Sequence, residues 1–183
     1  MRWIFCGKTS GPSLARRVKA GVVGGAMCLA GLSGCRQFDS APEFRPYEDQ
    51  LGPDSGESID SYVARTPFTA PEAPTWAMVT FTHPLPFAEA ARFAQSYAPE
   101  RVNQLVFPDR APGSVPEPSD YASREKLFEL YGRLAGAEAV SGLVVRADPV
   151  ALTGMNEDSR VFHVEALPPD ATWGFIGVRP VRL

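Results

Sequence analysis

Cysteine is nearly absent from this chain. Three occur in 183 residues, Cys6, Cys28 and Cys35, and none follows. A disulfide framework, a CxxC redox pair and a thiolate zinc site are therefore excluded from everything beyond residue 35, so the fold there must be held by its own core. Histidine is equally scarce, with only His83 and His163. No apolar run approaches the ~20 residues of a membrane span: residues 20–34 are weakly apolar and carry glycines, including Gly24-Gly25. Those glycines follow no strand and make no phosphate loop. Glu157 and Asp158 are too few for a calcium loop. A nucleophile with a base and an orienting acid is also missing, because Ser55 sits in a Pro-Asp-Ser-Gly turn and Ser141 in a helix-to-strand turn without a visible partner. No catalytic residue, metal or cofactor is expected.

What is present begins at the N-terminus. Five basic residues, Arg2, Lys8, Arg16, Arg17 and Lys19, precede the 20–34 segment, which ends in Leu32-Ser33-Gly34-Cys35. This order resembles the signal peptide and lipobox of bacterial lipoproteins. The resemblance implies cleavage before Cys35, with Leu32, Ser33 and Gly34 as the recognition box and a diacylglycerol on the Cys35 sulfur as the attachment to the membrane. The competing arrangement is an uncleaved anchor, for which the segment is short. Arg16-Arg17 raises twin-arginine export, but Lys19 falls where apolar residues should follow, which favours the ordinary secretory route. Abundant Ala, Gly, Pro and Arg resembles small lipoproteins of actinobacteria. Loss of residues 1–34 removes five of 18 basic residues and none of 21 acidic ones, leaving 13 against 21, a net charge of −8. A chain of that sign is repelled by nucleic acid and by anionic headgroups, so nucleic-acid binding is not expected and attachment would fall to the lipid.

Residues 36–74 contain six prolines and eight acidic residues against three arginines. That composition buries too little apolar area to offset chain entropy, and residues 35–74 are read as a lipidated N-terminus and disordered tether. Within it, residues 61–68 hold enough apolar side chains to dock back as an arm. From residue 75 the texture changes to a globular domain, 75–183. Residues 76–82 alternate as a strand with Ala77, Val79 and Phe81 on one face. A helix at 87–97 follows Pro86, and a strand at 101–107 is closed by Pro108. Ser119 looks like the N-cap of a long helix reaching about residue 139, before a strand at 142–147. Asp148-Pro149 opens a short helix, then come a strand at 160–167 and a fifth segment at 173–178. The order predicts an α+β fold similar to the ferredoxin-like split βαβ sandwich, with an inserted long helix and helices on one face of one sheet.

On such a sheet the first and last strands are neighbours, which brings His83 towards His163 and Glu165; a zinc site needs more ligands than this. Trp76 and Met78 lie on the face opposite Ala77, Val79 and Phe81. Either the long helix covers them, or they form with Arg146, Val161 and His163 an open semi-apolar surface for a protein partner. The function expected is a non-enzymatic, membrane-anchored, extracytoplasmic lipoprotein that binds or supports a cell-envelope protein or membrane complex. Binding of a small molecule or lipid is the alternative, and hydrolase activity is disfavoured by the missing triad.

Overall fold

The computed structural model describes residues 49–117 and 122–183. The lipobox and residues 36–48 of the expected tether lie outside this range. Strand β1 (Asp49–Leu51) and helix α1 (Ile59–Arg65) come first. They are followed by β2 (Thr75–Leu85), α2 (Phe87–Tyr97), β3 (Arg101–Val106) and β4 (Gly113–Ser114). Helix α3 (Arg124–Leu134), β5 (Val140–Ala147), α4 (Pro149–Glu157), β6 (Val161–Ala166) and β7 (Ile176–Val178) complete the chain.

Five strands form one antiparallel sheet in the order β4-β3-β5-β2-β6. Helix α2 links β2 to β3 across β5, and α4 links β5 to β6 across β2, so two split βαβ units interleave. With α3 between the second and third principal strands, the fold is the α+β, ferredoxin-like arrangement expected. Local chemistry sets the joints. Pro86 occupies the N-cap of α2, and Ala98 ends it in the left-handed region at φ 45° before Pro99. The Asp148 carboxylate accepts the Ala151 N–H at 2.8 Å with Pro149 in the first turn of α4. The sequence expectation for α3 is corrected: its cap is Ser123, whose hydroxyl accepts the Lys126 N–H, and the helix ends at Leu134. Four residues later than Ser119, the new start still places Leu127 and Phe128 in the core.

Ala77, Val79 and Phe81 face α2, α3 and α4 as expected, with Phe81 edge-on to Phe93 at 5.0 Å. Helix α3 lies close to α2 because Gly132 has no side chain where the Phe87 ring passes. Helices on a single face, however, describe only half of the molecule. The other face is covered by α1, by the two-stranded parallel sheet β1·β7 and by Val181, which pack with Leu51, Tyr62, Trp76, Met78 and Val144 in a second core. β7 therefore pairs with β1 rather than extending the main sheet.

This second core overturns the tether over residues 49–74. Leu51 and Tyr62 are fully buried, and α1 is capped by the Ser58 hydroxyl accepting the Ser61 N–H. The composition argument fails here because ordering the segment needed only two large apolar anchors placed over an apolar sheet face, not a high average hydrophobicity. We expect Phe81→Ala to cost about 3–5 kcal/mol of stability, and Trp76→Ala, only 6% exposed and stacked on Trp173 at 4.8 Å, to fall in the same range. Urea unfolding checks this; a Trp76→Ala loss below about 1 kcal/mol would contradict the second core.

Candidate functional site

The surface expected to recruit a partner is not open. Trp76, Met78 and His163 are 6%, 1% and 6% exposed beneath the arm formed by residues 49–66. The cover is the arm and the C-terminal segment, not the long helix. Val161 leaves the group altogether. Thr80 pairs with His163 but Phe81 with Val161, so Phe162 is an extra, bulged residue that resets the alternation and turns Val161 towards the helices. Phe162 itself is 38% exposed on this edge strand. Arg146 stays half-exposed in an ion pair with Glu100. His83 is exposed, whereas His163 is buried. Cys35, Leu32, Ser33 and Gly34 lie outside the described residues.

What the face does contain is a buried polar cluster. Glu165, next but one to His163 on β6, is 6% exposed, and its Oε2 accepts two hydrogen bonds from the arm: the Gly52 N–H at 2.6 Å and the Tyr62 hydroxyl at 2.8 Å. The Thr66 hydroxyl donates to the Tyr62 carbonyl at 2.8 Å, which uses its only hydrogen. Its 2.9 Å contact with His163 Nε2 therefore requires that Nε2 carry the ring proton and donate. The His163 ring also meets Tyr62 edge-on at 5.3 Å. Arg65 completes the arm by bonding both oxygens of Glu57 and the Gly52 carbonyl, with its guanidinium 5.7 Å from the Tyr62 ring centroid.

Burial dominates the electrostatics. It pushes the Glu165 carboxyl above its ordinary value, although both hydrogen bonds oppose that shift. Burial first, and the neighbouring Glu165 second, push the Tyr62 hydroxyl up as well, so it serves as a donor. His163 is pushed down by burial and stays neutral. Out on the rim, bonds from Arg65 hold Glu57 at about 2. Tyr62 is fully buried and closes the cluster from solvent, and the arrangement fastens the arm.

A second polar joint ties α4 to β6. Asp158 accepts both Arg160 and the Tyr97 hydroxyl, at 2.6–2.9 Å, and the Arg160 hydrogen bonds hold it well below the usual carboxylate range. Among the described residues no group of three or more metal-type side chains is found, and no helix is long and apolar enough to cross a membrane. An apolar slot of 140 Å³ beside Phe81, Pro84, Pro108 and Val181 is smaller than ordinary ligand pockets. The 460 Å³ groove along Pro84, Pro108, Asp109 and Arg110 is of mixed polarity and surface-lying.

The sequence signal that could have revealed the cluster was the pairing of His163 and Glu165 on one face of a strand whose neighbours are apolar. No protein-family model, curated protein or solved structure matches the chain. Glu165→Ala would strand the Gly52 N–H and the Tyr62 hydroxyl without an acceptor and is expected to cost about 2–5 kcal/mol, whereas Glu165→Gln keeps an acceptor oxygen and should cost about 1 kcal/mol or less. Urea unfolding of the two variants at pH 6 checks this. Equal losses would mean that the two hydrogen bonds carry none of the difference.

Proposed function

We propose that the chain is a lipid-anchored, extracytoplasmic, non-enzymatic protein that binds or supports another protein of the cell envelope. One observation carries this reading: a basic start, a 15-residue apolar segment and Leu32-Ser33-Gly34-Cys35 occur in that order. The charge left after residue 34, 13 basic against 21 acidic residues, gives the membrane no electrostatic hold and leaves the Cys35 lipid as the means of attachment. Two acyl chains on one residue suffice for stable anchoring.

The non-enzymatic part is supported by the closed polar cluster beneath the arm, in which the Tyr62 hydroxyl is spent on Glu165 and His163 Nε2 on the Thr66 hydroxyl. The distance scale follows from chain length. Residues 36–48 separate Cys35 from β1, and 13 residues reach no more than about 45 Å when fully extended. The folded body would then work close to the bilayer, within reach of the extracytoplasmic parts of a membrane complex. The partner surface belongs outside the Trp76–Met78 face, which is covered in the closed protein.

The test is Cys35→Ala in cells fed a labelled fatty acid. The wild-type chain should take up label and remain with membranes washed in high salt. Cys35→Ala should take up none and should accumulate either uncleaved or as released, soluble protein. A cleaved Cys35→Ala protein that still sedimented with washed membranes would refute lipid anchoring.

A further inference from the structure

We propose that residues 49–66 are a releasable cover over the Trp76–Met78 face, latched while Glu165 carries its proton and freed when Glu165 ionises. This does not depend on lipid anchoring. The cover is held at few points: β1 and β7 share three residue pairs, and Leu51 and Tyr62 are its only fully buried side chains. Residues 67–74 join it to β2 without helix or strand and contain Pro67, Pro71 and Pro74. Beyond these it is held by the Arg179 N–H on the Leu51 carbonyl, by His163 on the Thr66 hydroxyl, by the exposed Asp54–Arg179 pair and by one buried carboxyl oxygen. Glu165 Oε2 takes both the Gly52 N–H and the Tyr62 hydroxyl, and a protonated carboxyl can still accept both through that oxygen.

An ionised Glu165 is in a different position. Among the described residues no basic side chain forms an ion pair with it: Arg65, the nearest cation from α1, is committed to Glu57, whose own charge faces the site from the loop before α1. Asp54 pairs with Arg179 further out. On its own strand the neighbour is His163, kept neutral, and from β2 the adjacent side chains are Met78 and Thr80, both uncharged. A carboxylate buried with two neutral donors and no cation is relieved by moving the arm away and admitting water.

Burial raises the Glu165 pKa, so its stabilising contribution is full below the ordinary value of 4.5 and is lost as pH rises through the folded value. His163 acts in the opposite direction. Its pKa is lowered, so its contribution is present above 6.5 and is lost as pH falls through its folded value. The two groups therefore oppose each other across the acidic range, and comparison with E165Q isolates the part that belongs to Glu165. Opening would bare the part of this face that the arm covers, with Trp173 of the C-terminal segment still against Trp76, which makes that part a conditional surface rather than a permanent core.

Amide hydrogen exchange of the full chain in detergent, corrected for intrinsic rates, reads the opening directly. The amides of Gly52, Tyr62 and Thr66 report the arm, and those of Val79 and Val144 report the sheet. Between 4.5 and the closed-state pKa of Glu165 the ionisation should raise the arm's open population by up to about tenfold per pH unit, levelling off above it, while the sheet amides stay protected. In E165Q the arm should show no such rise. Tyr62→Phe, which keeps the ring and the carboxyl but removes one donor, should open the arm several-fold more at every pH. Arm exchange with the same pH dependence in wild type and E165Q would overturn the proposal. So would arm and sheet amides that open together, or Tyr62→Phe exchange identical to wild type.

Discussion

A sheet that is apolar on both faces must be covered twice, and the rest of this structure follows from that constraint. Seven consecutive residues of β2, from Thr75 to Phe81, are buried, and β5 is buried from Val140 to Val145. Such runs are typical of strands with a layer on each side, whereas a sheet with one wet face shows polar residues at alternate positions. Helices α2, α3 and α4 supply one layer. The other has to be assembled from what the chain has left, a short segment before β2 and the stretch after β6, and neither is apolar enough to form a layer alone.

That shortage explains why the second layer depends on polar joints. Burying Glu165 and His163 under an arm with two large apolar anchors is costly unless they are hydrogen-bonded, and the cluster gives Glu165 Oε2 and His163 Nε2 partners at 2.6–2.9 Å. The joints also make closure specific, since a slip of α1 by one residue would take the Tyr62 hydroxyl away from Glu165. The helix side has no comparable need. Its core is filled by Phe81, Phe93, Phe128, Leu143 and Met155, and its main polar joint, Asp158 with Arg160 and Tyr97, lies at the rim.

The parts legible in the sequence are those determined within a few residues. The helix at Phe87–Tyr97, bounded by Pro86 and Pro99, and the Asp148-Pro149 start of α4 are written in local capping chemistry, and strand order followed from alternating elements of ordinary length. The misplaced α3 cap has a local cause too: Ser119 is followed by Asp120 and Ser123 by Arg124 and Glu125, so both offer a capping hydroxyl ahead of an acidic residue in the first turn. The arm was legible only in part, as a docking segment at residues 61–68. Its order rests on contacts with residues more than 100 positions away, such as Gly52 and Tyr62 with Glu165, which no local window weighs. Bulges at Asn103 and Phe162 were equally hidden, and the second of them removed Val161 from the face to which simple alternation assigned it.

The position of the arm in the chain gives its closure a further meaning. Under the anchored reading, the only covalent path from Cys35 to the sheet runs through residues 49–74, so any load between membrane and domain passes through β1 and α1 before reaching β2. While the arm is docked, 13 residues, 36–48, separate Cys35 from β1. If it undocks, 26 more residues, 49–74, join the tether, and the fully extended reach rises from about 45 Å to about 130 Å. The same event bares the part of the apolar face that the arm covers. Reach and adhesiveness would then change together, because one carboxyl at position 165 fastens the segment that limits both.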